Sequence, residues 1–377
     1  MSDTPKQQRA GAVLTIDLDA LTSNWRLYAD KARGSNAKAG AVIKASAYGL
    51  DVARVAPALH LAGCDTFFVA TIDEAIQIRN ILGKIDQANP SIHVFYGLMD
   101  GCERDFSQYD LIPVLNTLGE VEAWRAFCGG LGTSLPCDIH IDTGMSRLGL
   151  DEHELQKFIT NMDQYIGLNI NTIMSHLACA ETPEHIENKR QLERFTTALS
   201  KINFTQASLA NSSGAFLGPN YHFDLIRPGV ALYGANPTPD KPNPMKQVVR
   251  LQGKVLQVRA IDTPRGVGYG STFEASQGTR IATLAMGYAD GYPRSLSNVG
   301  EVYFGEHKAP IVGRVSMDLI TIDVTDIPAH IVHVGQLADV IGPLNPIDDV
   351  ADKAGTIGYE LLTQLGSRYD RKYTGGN

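Results

Sequence analysis

Cysteine is scarce in this 377-residue chain and follows no pattern. The five residues, Cys64, Cys102, Cys128, Cys137 and Cys179, are odd in number and widely spaced, with no CxxC pair among them. That excludes a cysteine-held zinc site and a disulfide framework, and it points to a reducing cytoplasm. Basic charge is also short. Lys and Arg number 33 against 41 Asp and Glu, a formal charge of −8, the wrong sign for a nucleic-acid groove or an anionic membrane surface. Long apolar runs are missing too, and none nears the ~20 residues that a membrane helix needs. The stretch from Met1 to Gly11 is polar, has no apolar signal core, and is expected to be flexible. Metal-ligand spacing is absent as well: His93 and His222 stand beside apolar residues singly, so no metal is assigned.

What is present is alternation. Between residues 12 and 238, eight apolar runs read as strands: 41–45, 66–70, 92–96, 111–115, 137–141, 170–174, 205–209 and 223–226. Stripes at helical spacing lie between several of them, such as Val52, Val55, Ala56 and Leu59, then Ile72, Ala75, Ile76 and Ile78, then Leu192, Phe195, Leu199 and Ile202. The helices after the third and seventh strands read as short. Asp17 and Asp19 flank a helix start, where capping accounts for them. Strand alternating with helix predicts a parallel sheet, and eight units predict a closed (β/α)8 barrel of the TIM type. A Pro- and Asn-rich stretch at 236–244 then breaks the pattern, as a stiff, exposed linker would. Beyond it, strand-like runs at 255–258, 281–284, 302–304 and 320–324 alternate with turn residues. The expected fold class is therefore α/β, with a barrel over 12–238 followed by a mainly-β C-terminal domain over 245–377.

The most informative segment is Ala41-Val-Ile-Lys-Ala-Ser-Ala-Tyr-Gly49, which puts Lys44 at the end of an apolar run where loop chemistry begins. A lysine at a buried strand end loses pKa readily and suits Schiff-base chemistry; the alternative is an edge-strand lysine facing water. In a (β/α)8 enzyme the reactive groups gather at the carboxyl ends of strands, with phosphate often held after strands seven and eight. Asp142-Thr-Gly-Met-Ser-Arg147 follows strand five, His176 strand six, Asn211-Ser-Ser-Gly214 strand seven and Arg227-Pro-Gly-Val230 strand eight. Hydroxyls and glycine amides there could cradle a phosphate. A lysine opposite such a cradle is what pyridoxal phosphate requires.

On these residues the chain resembles the alanine racemases, over nearly its whole length from about Leu14 to Tyr373. The resemblance rests on the Lys44 segment, Asp142-Thr-Gly-Met-Ser-Arg-Leu-Gly149, Arg227-Pro-Gly-Val-Ala-Leu-Tyr-Gly234, Met286-Gly-Tyr-Ala-Asp-Gly-Tyr-Pro-Arg294 and Gly313-Arg-Val-Ser-Met-Asp318, in that order. It implies a pyridoxal-phosphate enzyme with a barrel and a C-terminal β-domain, racemising L- and D-alanine as a homodimer with cross-subunit sites. Lys44 would hold the cofactor and act as one base, and Tyr269 of the partner subunit would act as the other. Two bases on opposite faces return the proton without turning the substrate. A phenol of ordinary pKa near ~10 is a weak base at neutral pH; the family tunes it through a hydrogen-bonded link from His176 to Arg227. Arg227 would face the pyridine nitrogen as a donor that keeps its own proton. Ser212, the amides of Gly229 and Val230, Tyr359 and Tyr48 would hold the phosphate. Arg147 and the amide of Met317 from the partner chain would bind the substrate carboxylate, and Tyr288 would narrow the entrance.

The chain departs from the family pattern at four places. His140 stands where many relatives carry a carbamylated lysine that anchors the neighbouring arginine. Ser316 replaces a cysteine, Gly268 a serine, and Ser208 a histidine. His140 reads as a strand histidine satisfied by its neighbours, with a relay or ligand role as the alternative. Three other functions are compatible with parts of this reading: a serine or broader-specificity racemase, a basic amino-acid decarboxylase, and a non-catalytic carrier of the cofactor. The three consecutive glycines usual in the decarboxylases are absent, and the small carrier barrels have no second domain. The products would supply D-alanine biosynthesis for cell-wall peptides, or D-alanine would enter catabolism.

Overall fold

The computed structural model describes residues 9–85 and 89–376. Of the stretch expected to be flexible, residues 1–8 lie outside the described residues. Seven strands pair in parallel and in chain order: Ala41–Val42, Thr66–Val69, Ser91–Val94, Ile112–Leu115, Pro136–His140, Asn169–Met174 and Gln206–Ser208. The eighth, Leu225–Ile226, pairs in parallel with Lys38–Ala39, the leading half of the first strand. It also receives the seventh, because the N–H of Asp224 donates to the carbonyl of Ala207 at 3.0 Å and that of Arg227 to Ala210 at 2.9 Å. The sheet is thus closed. Thr66–Val69 and Ile112–Leu115 are buried at every residue, as strands covered on both faces must be.

The connecting helices start where hydroxyls and carboxylates can cap them. Asp17 caps Leu18–Arg33, Thr71 caps Ile72–Leu82, Thr117 caps Leu118–Leu131 and Asp151 caps Glu152–Thr160, each satisfying N–H groups that the first turn leaves free. The expected short connections are short. Six residues, Glu103–Gln108, follow the third strand, and only the turns Gly214–Phe216 and Pro219–Tyr221 follow the seventh.

The second domain is built on one long strand, Val249–Ala260, which pairs with Leu337–Ile341 and with Arg280–Leu284 across two bulges. Here the reading from sequence needs a correction. The expected barrel unit began at residue 12, but Ala12–Asp17 runs antiparallel to Val249–Ala260 and parallel to Asp370–Thr374. The first strand therefore belongs to the β-sheet, and the helix that follows it, Leu18–Arg33, passes onto the barrel. Ala12–Asp17 and Asp370–Thr374, far apart in sequence, are neighbours in that sheet.

Candidate active site

A cavity of about 570 Å³ opens at the carboxyl end of the barrel. Its walls come from all parts of the ring: Lys44 beyond the first strand, His140 at the end of the fifth, His176 beyond the sixth, Ser212 beyond the seventh, and Arg227, Gly229 and Val230 beyond the eighth. The second domain contributes Tyr359, from the helix Gly358–Thr363.

Lys44 leads into a turn of unusual hand. Ala45, Ser46, Ala47 and Tyr48 have φ of 52°, 51°, 55° and 54°, a left-handed helical turn made without glycine. Each such residue costs about 1–2 kcal/mol relative to the right-handed form, so the surrounding contacts must impose it. The turn carries its own hydrogen bonds, from the N–H of Ala47 to Ile43 at 2.9 Å and of Gly49 to Ala45 at 2.8 Å. A Cβ on Gly49 would lie 2.5 Å from the carbonyl of Leu362, so only glycine lets the turn pack against the second domain. The result places Lys44 and Tyr48 in the same cavity. Burial lowers the Lys44 pKa, the charge of Arg147 adds to this, and Glu74 partly opposes it. The Tyr48 ring packs on Tyr233 at 4.6 Å, and burial holds its phenol well above the ordinary value.

Opposite Lys44, the turn after the eighth strand closes on the one after the seventh. The Gly229 N–H donates to Ser212 Oγ at 2.9 Å, and the Tyr28 hydroxyl donates to the Ser212 carbonyl at 3.0 Å. A Cβ on Gly229 would meet the Tyr48 hydroxyl at 2.6 Å. Arg227 is 3% exposed. Its two terminal nitrogens donate to Ser208 Oγ and the Ser175 carbonyl, and its Nε has no partner among the described residues. Burial pulls its pKa down to about 10, with Asp138 acting the other way, so it stays charged at neutral pH. The small Ser208 gives the guanidinium its seat. Asn211 donates from Nδ2 to His176 Nε2 at 3.4 Å, while its Oδ1 accepts from the Gly214 N–H at 2.9 Å. The His176 Nε2 is therefore an acceptor, and burial followed by the charge of Arg227 holds the ring neutral. Among the described residues, the expected hydrogen bond from His176 to Arg227 is not formed; the charge of Arg227 acts on His176 only by disfavouring its protonation.

The loop carrying Arg147 is shaped by one carboxylate. Asp142 Oδ1 accepts from the N–H groups of Gly144, Met145 and Ser146 at 2.9, 2.9 and 3.1 Å. Burial alone would raise the Asp142 pKa, but these bonds bring it below the ordinary value. His140 stands at the base of this loop. Asn116 Nδ2 donates to the carbonyls of Phe95 at 3.0 Å and Val114 at 2.9 Å, which turns its Oδ1 to His140 Nδ1 at 2.9 Å. Nδ1 thus carries the proton, and burial lowers the His140 pKa to about 4. The ring is a neutral strand histidine held by a neighbour.

Three expected residues stand apart from the cavity. Tyr269, Met317 and Tyr288 are 72%, 53% and 42% exposed, all on the second domain. Tyr269 sits between Gly268 (φ 70°) and Gly270 (φ 71°) in a surface depression shared with Arg314, Ser316 and Leu319. The loops bearing Tyr288 and Met317 are knitted together. The N–H groups of Tyr288 and Ala289 donate to the carbonyls of Ser316 and Met317, both at 3.0 Å. Arg368 bridges Asp290 and Asp318, each at 2.7 Å. A Cβ on Gly287 would run into the Ser316 carbonyl. Two motifs far apart in sequence are therefore one surface.

Reading the sequence alone missed Asn116 and Glu74, and named Asn211 only as the first residue of the segment after strand seven. Only Glu74 carried a local signal, as the fourth residue of Thr71-Ile-Asp-Glu74, a capping box.

Comparison with known proteins agrees with this architecture. Residues 16–237 match the model for the alanine racemase N-terminal domain, and residues 248–373 match that for the C-terminal domain. The alanine racemase of Rhodospirillum rubrum is 46% identical over 98% of this chain and 97% of its own length. The catabolic alanine racemase of Agrobacterium fabrum is 45% identical over 98% and 94%. Among solved structures, alanine racemase from Bartonella henselae with covalently bound pyridoxal phosphate superposes with a TM-score of 0.91 at 42% identity, covering 97% of this chain and all of that one. The biosynthetic alanine racemase of Pseudomonas aeruginosa gives 0.88 at 34%, again over 97% of this chain and 100% of its own. This chain belongs to the alanine racemase family.

Proposed function

We propose that this protein interconverts L- and D-alanine, using pyridoxal phosphate held by Lys44 and two bases, Lys44 and Tyr269 of the partner subunit. The single observation that carries the reading is the convergence in one cavity of a lysine of lowered pKa, a buried arginine with an unpartnered Nε, and the Ser212–Gly229 turn.

Those residues fit the cofactor. Lys44 offers the amine for its aldehyde. Ser212, the amides of Gly229 and Val230, and the phenols of Tyr48 and Tyr359 suit its phosphate, and the free Arg227 Nε suits its ring nitrogen. Bound there, pyridoxal phosphate supplies the electron sink that acidifies the substrate's α-proton. The chain's own groups do the rest. Arg227 donates hydrogen bonds but keeps its proton, which limits that sink and disfavours side reactions at the cofactor. Arg147, with the Met317 amide of the partner subunit, holds the substrate carboxylate. Lys44 Nζ takes or returns the α-proton on one face, its lowered pKa leaving more of the free amine, and Tyr269 Oη of the partner subunit serves the other face. Tyr288 of the partner subunit narrows the entrance to small side chains.

The homodimer is part of the proposal. Tyr269 and Met317 are exposed on one chain, which supports a second copy supplying them to the cavity. The chain works as two units, a barrel through residue 238 and a β-domain from 245, with Ala12–Asp17 lent to the latter. Five free thiols, three of them buried, support the cytoplasm as its location; no helix among the described residues is long and apolar enough to cross a membrane.

The test is exchange of the α-proton for deuterium, with racemisation, on L-alanine, L-serine, L-lysine and L-arginine. Fast turnover confined mainly to alanine is expected. Comparable rates on the polar or long substrates would assign a broader racemase, and binding without exchange would leave a carrier.

A further inference from the structure

The left-handed turn after Lys44 is held at its first residue by a side chain from outside. Glu74 Oε1 accepts from the N–H of Ala45 at 2.6 Å. Its other oxygen accepts from the N–H groups of Ala70 at 2.9 Å and Thr71 at 3.3 Å. A single carboxylate therefore ties the first residue of the turn to the loop beyond the second strand. Glu74 is itself fixed, lying in the first turn of Ile72–Leu82, whose cap Thr71 receives the Glu74 N–H at 3.3 Å. At the far end of the turn, Arg371 donates to the Gly49 carbonyl at 2.6 Å. Between these two anchors lie four residues in a conformation that L-amino acids avoid.

Released at Ala45, the chain would relax toward right-handed or extended backbone. Lys44, immediately before the pivot, would then leave the direction it shares with Tyr48. The geometry points to Glu74 as a positioning residue that aims Lys44 into the cavity by clamping Ala45 in the left-handed region. This rests on the reading that Lys44 takes the cofactor. Glu74 touches neither substrate nor cofactor in this role; it acts through the backbone. Its charge has a second effect, because it faces Lys44 together with Arg147 and His176 and favours the protonated amine.

Three N–H donors on one carboxylate make the variants informative. Glutamine at this position keeps one carbonyl acceptor, and its NH₂ group must face at least one N–H donor, so Glu74→Gln breaks one side of the clamp. Glu74→Ala breaks both. The experiment compares the two variant holoenzymes with the wild type. Borohydride adds hydride to the C=N bond formed when Nζ condenses with the cofactor's aldehyde and water leaves, giving a stable secondary amine that peptide mass spectrometry places. Cofactor loss on dilution is followed by absorbance in the same samples. We expect Glu74→Ala to lose cofactor at least tenfold faster and to be trapped at Lys44 less than half as completely. Glu74→Gln should lie between it and the wild type. The kcat for alanine should fall tenfold or more in Glu74→Ala, with KM within about twofold, since Arg147 is untouched. Should Glu74→Ala fail to fold, Glu74→Gln alone decides. Variants that trap and retain the cofactor as the wild type does overturn the clamp and leave the role of Lys44 intact. A wild type that is not trapped at Lys44 overturns the parent reading as well.

Discussion

The barrel mouth and the exposed face of the β-domain carry motifs of equal clarity but opposite physical character. At the barrel mouth, polar groups are desolvated and individually fixed: Arg227 by Ser208 and Ser175, His140 by Asn116, the Arg147 loop by Asp142. Their pKa values are displaced accordingly. On the β-domain the loops are just as firmly built, by Arg368 and by the Tyr288–Ser316 ladder, yet the side chains the motifs present stand in water. Ordered loops that display Tyr269, Met317 and Tyr288 to solvent make sense as half of a site. One region is preorganised by its own chain; in the proposed homodimer the other is completed by a partner copy.

The sharpest way to break that comparison is to remove one proposed base from each region. Lys44→Ala and Tyr269→Phe should each cut racemisation by ~10²–10⁴-fold, the range for loss of a positioned acid or base. They should differ in the cofactor: Lys44→Ala loses the covalent absorbance band, whereas Tyr269→Phe keeps it. Mixing the two inactive proteins under exchange tests the split directly. A mixed dimer has one site with both bases and one with neither, so an equimolar mixture should recover roughly a quarter of wild-type activity if subunits pair at random around a two-fold axis. No recovery, with mixed dimers present by mass spectrometry, would sink the cross-subunit arrangement.

A smaller effect is expected at Gly287. Alanine there would press against the Ser316 carbonyl and separate the Tyr288 loop from the Met317 loop. We expect a KM for alanine raised about tenfold or less, with the cofactor still bound, because only the face proposed to meet the partner moves. Weakened cofactor binding would place that surface in the chain's own cavity instead.

The contrast also sorts what could be read from sequence. Eight barrel strands were legible because strands buried on both faces are short apolar runs, and the pocket residues were legible because they cluster just beyond those runs. The sheet membership of Ala12–Asp17 was not. One strand states which of its faces is apolar and says nothing about its neighbours, here at Val249–Ala260 and Asp370–Thr374. The hand of the turn at 45–48 was equally hidden. Ala-Ser-Ala-Tyr has no residue that prefers positive φ; the turn is held by distant side chains, Glu74 at Ala45 and Arg371 at Gly49. The same holds for His140, whose proton is placed by Asn116. Motifs reported which side chains meet, and long-range hydrogen bonds determined how they are held.

Acid stability is where the two regions should differ by the least, yet measurably. His140 has a folded pKa near 4 against an ordinary 6.5. Between those values the unfolded chain binds a proton that the folded ring refuses, so stability falls as pH drops from about 6.5 to 4 and this contribution levels off below. Asp142 behaves differently: its folded pKa lies below 3.8, so its contribution is present above that value and fades only in stronger acid. The variant His140→Gln removes the first effect and keeps the three backbone hydrogen bonds that dominate the lowering at Asp142. Relative to wild type, its melting temperature should therefore improve on going from pH 7.5 to pH 5, by a few degrees at ~2–4 °C per kcal/mol for domains of this size. Tyr269→Phe is the matching probe of the exposed face. The substitution alters no carboxylate or imidazole, so its melting profile should run parallel to that of wild type from pH 7.5 to 5. A His140→Gln profile that also runs parallel would mean that the barrel mouth is as solvated as the β-domain face, and the distinction between the two regions would fail.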